Sequence, residues 1–158
     1  MSSAISSMAG QNIGAGELKR AKKTMTTGLM IALGISALVF LIVEIFPREL
    51  LTLFTSETDV VETGITFLRL AAAEYMIVTP VFCMNGLAIG AGYTNVALLN
   101  AISSSIIIRV PLAYLLVRVF DLGFYGIGIA MGFAPIVSLF IGIIFVQSGK
   151  WKKAKIRL

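Results

Sequence analysis

Histidine is absent from this chain of 158 residues, and Cys83 is its only cysteine. These two facts exclude a disulfide within the chain and a zinc site built from cysteine and histidine. They also exclude nucleophilic catalysis by a Ser-His or Cys-His pair. We therefore expect no enzyme, no metal site and no cofactor, although chemistry based on aspartate or glutamate stays compatible with the composition.

Charged residues are scarce as well. They make up 13% of the chain, against 58% hydrophobic residues, and the mean hydropathy is +0.95. Soluble domains contain about 25% charged residues, so this composition is typical of a helical protein that crosses a membrane several times. The net charge of +5 then reflects loop topology. We expect membrane lipid as a partner and no nucleic acid.

The long apolar stretches predict an all-α polytopic membrane protein, with four transmembrane helices after a short N-terminal helix. We treat residues 1–158 as one membrane domain. Residues 1–23 would form a helix end and a basic cytoplasmic segment, and residues 147–158 a basic cytoplasmic tail. The predicted spans are residues 25–46, 64–92, 96–120 and 124–146.

The basic residues predict the orientation in the membrane. Four lysines or arginines precede the first span and five follow the last, so nine of the 13 basic residues belong to these two groups. Four spans bring both groups to one side. Because cytoplasmic loops are rich in lysine and arginine, we predict a multi-pass protein of the cell (plasma) membrane with both termini in the cytoplasm. Trp151, in the tail, is expected at the membrane interface.

The second span contains an ionisable residue near its middle. Glu74 lies about 15 Å along the helix from Gly64, and Pro80 interrupts the backbone hydrogen bonds shortly afterwards. A carboxylate at this depth faces a bundle interior or a watery cavity. A broken helix with such a residue is a common element of transporter sites. The alternative is that Glu74 is merely paired and Pro80 is merely a kink.

Two further polar residues share this region. The second and third spans are antiparallel neighbours, so helix geometry places Arg109 at a depth similar to that of Glu74. We predict that the two interact, directly or through water, because each charge alone is costly. The pair is either static, or released by protonation or by a cationic substrate. Asn85 lies on the same helix face as Glu74 and would contact either a neighbouring helix or a substrate.

Five short motifs follow one another along nearly the whole chain. They are GQNIGAGELKRAKK at residues 10–23, NGLAIGAGYT at 85–94, RVPLAYL at 109–115, GFYGIG at 123–128 and GKWKK at 149–153. Together and in this order they resemble the C-terminal part of a multidrug and toxic compound extrusion (MATE) transporter.

This resemblance implies a cation-coupled antiporter, driven by protons or sodium, that exports small cationic organic compounds of amphipathic character. It implies alternating access between two six-helix lobes. The chain would then be a C-terminal fragment of the second lobe, and the N-terminal lobe would be its missing partner, without which it is not active. Some members of the family carry a coupling carboxylate in the second of these spans. The glycine register places that position at Val78, one turn from Glu74.

The substrate or ion pathway candidates are thus Glu74, Arg109 and Asn85. Two other functions stay open at this point. A relative of the family could flip a lipid-linked sugar across the membrane. The chain could also be a non-transporting structural protein or the product of a truncated gene.

Overall fold

A computed structural model describes residues 1–153, and every regular element in that range is helical. Four helical stretches are long and apolar enough to cross a membrane, and a short helix precedes them, which confirms the predicted fold class. The elements are α1 (Ser2–Gly14), α2 (Leu18–Ile45), α3 (Pro47–Thr52), α4 (Thr58–Gly90), α5 (Thr94–Ile102), a π-helical stretch (Ser103–Arg109), α6 (Val110–Arg118), α7 (Gly123–Gln147) and a single 3₁₀ turn (Lys150–Lys152).

The first two long helices start earlier than the predicted spans. Helix α2 begins at Leu18, so the basic cluster at residues 19–23 forms its first turns instead of a separate segment. Helix α4 begins at Thr58 and has 33 residues, which corresponds to about 50 Å. Both helices therefore extend beyond the roughly 30 Å of bilayer hydrocarbon. Part of the tail, residues 154–158, lies outside the described residues.

Helix α4 lies at the centre of the bundle and packs against α1, α2 and α7. Its last turns and α1 approach each other very closely. A Cβ atom on Gly90 would lie 2.5 Å from the backbone oxygen of Ser6, and one on Gly10 would lie 3.0 Å from the oxygen of Gly90. Glycine is needed at this crossing, as at many close helix contacts in membranes. The adjoining core contains Leu87 and Ala88, both fully buried.

The third membrane-length stretch, Thr94–Arg118, is helical throughout but changes character in its middle. Ser103–Arg109 is π-helical, and α6 follows with Pro111 in its first turn. A proline in a continuous helix lacks one backbone donor and collides with the carbonyl group four residues earlier, which here belongs to Ile107. A widened turn relieves that collision. Short π-helical segments are frequent at functional sites.

Large apolar side chains on the outside of the bundle remain exposed, for example Met30 and Leu38 of α2 and Tyr114 of α6. A soluble protein rarely exposes so many. Such faces suit contact with lipid or with further membrane helices. Several buried or part-buried polar groups, in contrast, lie between α4, α5, the π-helical stretch and α7, where the candidate site lies.

Candidate transport cavity

Glu74 and Arg109 form an ion pair between α4 and the end of the π-helical stretch. Nη2 of Arg109 donates a hydrogen bond to Oε1 of Glu74 over 2.5 Å. The Glu74 side chain is only 12% exposed and that of Arg109 35%. The predicted contact is therefore present. Pairing offsets part of the cost of holding both charges away from water.

The ion pair lies in the wall of a cavity of about 430 Å³ between α4, the stretch from α5 to the π-helix, and α7. The π-helical stretch packs against α7, so Arg109 reaches across the cavity to meet α4. Among the described residues that line it, Glu74 and Arg109 are the two that carry a charge. All three sequence-predicted candidates, including Asn85, line this cavity. Its apolar wall is formed by Val78, Val81, Phe82, Met131 and Pro135.

A second polar group, formed by two amides and a hydroxyl, connects three helices. Nδ2 of Asn100 in α5 donates to Oδ1 of Asn85 in α4 over 2.7 Å. Ser138 of α7 donates from Oγ to the backbone oxygen of Asn100 over 2.9 Å. The sequence left open whether Asn85 contacts a helix or a substrate. In this structure it accepts a hydrogen bond from the neighbouring helix.

Sequence reasoning did not identify Asn100 or Ser138. Each is a polar residue in a largely apolar helix, and that is the only signal the sequence offers. Their spacing to Glu74 carries no information about which face they occupy, because they lie on other helices. The structure buries both, with Asn100 at 1% and Ser138 at 2% exposure.

Two side-chain atoms of the cavity wall have no hydrogen-bond partner among the described residues. They are Oδ1 of Asn100 and Nε of Arg109, and both atoms are buried. A buried polar atom without a partner costs about 1–3 kcal/mol. Such atoms in folded proteins point to a role, a bound water or a bound ligand. The cavity thus offers one unused acceptor and one unused donor.

Two other ion pairs lie at the edge of the bundle, away from the cavity. Nε of Arg69 is 3.3 Å from Oε2 of Glu44, and Arg48 pairs with Glu62. All four side chains are at least 36% exposed. Exposed pairs contribute little to stability, so these carboxylates serve as matched controls for Glu74.

Within residues 1–153 no group of three or more acidic or cysteine side chains is arranged to hold a metal ion.

In chemical terms, the cavity combines an apolar wall with a carboxylate that already has a cationic partner. A carboxylate accepts a proton or binds a cation, and either event competes with the contact to Arg109. Amide and hydroxyl groups add uncharged hydrogen bonding. This combination fits a small organic molecule better than it fits a catalytic reaction, because few precisely placed polar groups in an apolar pocket are typical of binding sites.

Known proteins give an independent view of the chain. The MatE family model matches residues 1–115. The chain is 31% identical over 154 residues to the probable multidrug resistance protein YpnP of Bacillus subtilis (strain 168), covering 97% of this chain and 34% of that protein. It is 27% identical over 153 residues to the probable multidrug resistance protein NorM of Thermotoga maritima, covering 97% of this chain and 33% of that protein. No solved structure matches.

The chain spans about a third of the length of the curated relatives it matches. The family match covers well over half of the chain, and it agrees with the four apolar helices and with the motifs noted in the sequence. The chain therefore belongs to the MatE family, a family of multi-pass membrane transporters and not of enzymes.

Proposed function

We propose that the chain forms the C-terminal part of a cation-coupled multidrug antiporter that exports cationic amphipathic compounds by alternating access. The observation that carries this proposal is the Glu74 carboxylate, which is 12% exposed and lies in the wall of a cavity between apolar helices. A carboxylate inside a membrane bundle marks substrate or ion pathways. The apolar wall beside it suits the hydrophobic part of an amphipathic cation.

Antiport requires that the exported compound and the coupling ion exclude each other. In this proposal both use Glu74: a proton or sodium ion occupies the carboxylate in one state, and the cationic group of the substrate occupies it in the other. Arg109 holds Glu74 when neither is present. The guanidinium keeps the carboxylate paired and is displaced by either cation. Asn85 contributes an uncharged polar wall to the same pathway.

The chain is proposed to work with an N-terminal lobe and not by itself. Alternating access needs two halves that move around a shared site, and four membrane-length helices supply part of one half. We propose that residues 1–158 form one membrane domain in the plasma membrane, with both basic termini in the cytoplasm. The exposed apolar faces of α2 and α6 would then contact lipid or the missing helices.

The experiment that tests this proposal is dye efflux from cells that express the natural product containing this sequence, with Glu74→Gln as the test variant. Glu44→Gln is the matched control, because Glu44 also pairs with an arginine but lies outside the cavity. We expect Glu74→Gln to abolish efflux at unchanged protein levels and Glu44→Gln to retain it. Unchanged efflux in Glu74→Gln would show that the ion pair is only structural.

The size of the product in native membranes is measured first, by blotting with an antibody against residues 150–158. The proposal predicts a band about three times the size of this chain, as roughly twelve helices require. A band near 16.9 kDa would contradict the proposed N-terminal lobe within one polypeptide.

A further inference from the structure

The cavity is polar at two ends, and its α4 wall is apolar between them. Glu74 and Arg109 lie at one end, and the Asn85–Asn100 amide pair lies at the other. Glu74 and Asn85 are eleven residues apart on α4, which corresponds to about 16 Å along the helix. Val78 and Val81 form the wall of α4 between them. The cavity therefore has a charged end and an uncharged polar end, and its middle is apolar on the α4 side and lined by Ser104 and Ser105 on the facing side.

Asn100 is the residue at the uncharged end whose hydrogen bonding is incomplete. Its Nδ2 donates to Asn85, and its backbone oxygen accepts from Ser138. Its Oδ1 has no partner among the described residues, although the residue is 99% buried. The two bonds in use hold the residue in place from α4 and α7. The remaining acceptor is buried, so a group in the cavity reaches it only after the side chain moves.

An incoming group needs only a small change to reach this acceptor. Asn100 already lines the cavity, and the terminal torsion of an asparagine side chain is soft. Oδ1 and Nδ2 belong to one rigid amide, so the inference requires a rotation small enough to keep the Nδ2 bond to Asn85 while Oδ1 turns toward the cavity. Ser104, one helical turn further along, lines the cavity beside it and extends the same uncharged polar surface.

We propose that Asn100 Oδ1 accepts a hydrogen bond from an N–H or O–H group at the uncharged end of the transported compound. The preferred substrates are then elongated amphipathic cations with a hydrogen-bond donor on the order of 15 Å from the cationic nitrogen. The cation binds at Glu74, the apolar body lies against Val78 and Val81, and the donor meets Asn100. This inference rests on the proposed function, because it requires that the cavity binds the transported compound.

The expected preference is modest and measurable. One neutral hydrogen bond to a buried acceptor that is otherwise unsatisfied improves binding by about three- to tenfold. A compound that lacks the donor leaves Oδ1 of Asn100 without a hydrogen-bond partner, as in the free protein. The cationic end contributes equally to both compounds, so it cancels in the comparison.

The experiment compares two rigid quaternary ammonium compounds that differ only at the far end, a hydroxyl group in one and its methyl ether in the other. Both keep the oxygen acceptor, and only the first has a donor. Dissociation constants are measured by equilibrium titration on the purified natural product in detergent, so that the result does not depend on transport. The variants are Asn100→Leu, which keeps the side-chain volume, and Asn95→Leu as a control at an exposed asparagine.

The proposal predicts that the wild type binds the hydroxyl compound about three- to tenfold more tightly. Asn95→Leu should keep this preference, and Asn100→Leu should bind both compounds with the affinity of the ether. Where Asn100→Leu does not fold, Asn100→Ala takes its place. Equal binding of both compounds to the wild type overturns this inference and leaves the proposed function standing. A preference that survives in the Asn100 variant overturns the assignment to Asn100, and binding of neither compound overturns the proposed function with it.

Discussion

Nη2 of Arg109 lies 2.5 Å from Oε1 of Glu74, although 35 residues separate the two along the chain. The bond crosses from the end of the π-helical stretch to the middle of α4, and so it connects two opposite walls of one cavity. Neutralising either side chain therefore removes a contact that holds both walls together. When another cation replaces Arg109, the Glu74 carboxylate stays paired, and the charge that loses its partner is the guanidinium, which is 35% exposed.

The energetic contribution of this ion pair is the first prediction. Glu74→Gln or Arg109→Gln leaves one partly buried charge without its partner, whereas the double variant removes both charges. The two single variants together should therefore lose more unfolding free energy than the double variant. We expect a coupling free energy of about 1–3 kcal/mol in a double-mutant cycle, measured by chemical unfolding of the purified protein in detergent. This is below the roughly 3–5 kcal/mol lost on breaking a fully buried pair, because Arg109 remains 35% exposed.

The control cycle uses Arg69 and Glu44, whose side chains are 47% and 36% exposed. Its coupling should stay below about 1 kcal/mol. Strict additivity in the Glu74–Arg109 cycle would mean that the pair does not form in the folded protein.

The amide pair gives a second prediction of a different kind. Asn85→Leu removes the acceptor of Asn100 Nδ2 and leaves a buried donor unsatisfied, which should cost about 1–3 kcal/mol of unfolding free energy. Adding Asn100→Leu removes that donor as well, so the double variant should recover part of the loss. The bond from Ser138 survives in both, because it goes to the backbone oxygen of Asn100. A double variant less stable than the single one would contradict this account.

Much of this architecture follows from the sequence, and the reasons are physical. The apolar stretches fix which segments are helical, because no other backbone arrangement satisfies its own hydrogen bonds in lipid. The contact between Glu74 and Arg109 follows from counting residues along two antiparallel helices that meet at a short turn. The relative height of two residues on neighbouring antiparallel helices follows from counting residues, so it is predictable even when the rotation of each helix is unknown.

Features that depend on rotation or on a single turn were not predictable in this way. Asn100 meets Asn85, and Ser138 meets Asn100, only because α5 and α7 present particular faces. No clear periodicity in these largely apolar helices reveals those faces. The π-helical stretch is equally hidden, since Pro111 marks a disturbance without specifying its form. The sequence also did not predict the packing of Trp151, which is 2% exposed and donates from Nε1 to the backbone oxygen of Val146. The left-handed turn at Gly149, with φ of 67°, folds the chain back so that the Trp151 side chain is buried.

The close approach of α1 and α4 gives a third prediction. Gly90→Ala places a methyl group against the backbone oxygen of Ser6, which cannot move without shifting α1. We expect a loss of about 1–3 kcal/mol, as for other overpacked positions. Gly132→Ala in α7 is the control, because no atom lies within 4 Å of its added methyl group, and alanine favours the helix by about 1 kcal/mol over glycine. Thermal unfolding in detergent measures the stability of both variants. Equal changes in stability would contradict the close contact between Gly90 and Ser6.

The last prediction concerns the orientation of the chain in the membrane. Its lone cysteine, Cys83, is buried, so Cys83→Ala gives a cysteine-free background in which a single new cysteine reports its own side. Lys22 and Lys152 lie at one end of the bundle and Ser56 and Asp121 at the other, and all four are exposed. Because basic segments stay in the cytoplasm, a membrane-impermeant maleimide added to intact cells should label Ser56→Cys and Asp121→Cys.

Lys22→Cys and Lys152→Cys should react with the same reagent only after the cells are permeabilised. Each end of the bundle is thus tested at two positions in different segments of the chain, so each variant serves as a control for the others. The reverse pattern would place the termini outside the cell and would overturn the orientation. Labelling of Lys22→Cys and Lys152→Cys on opposite sides would be a deeper contradiction, because an even number of spans between them requires that they share one side.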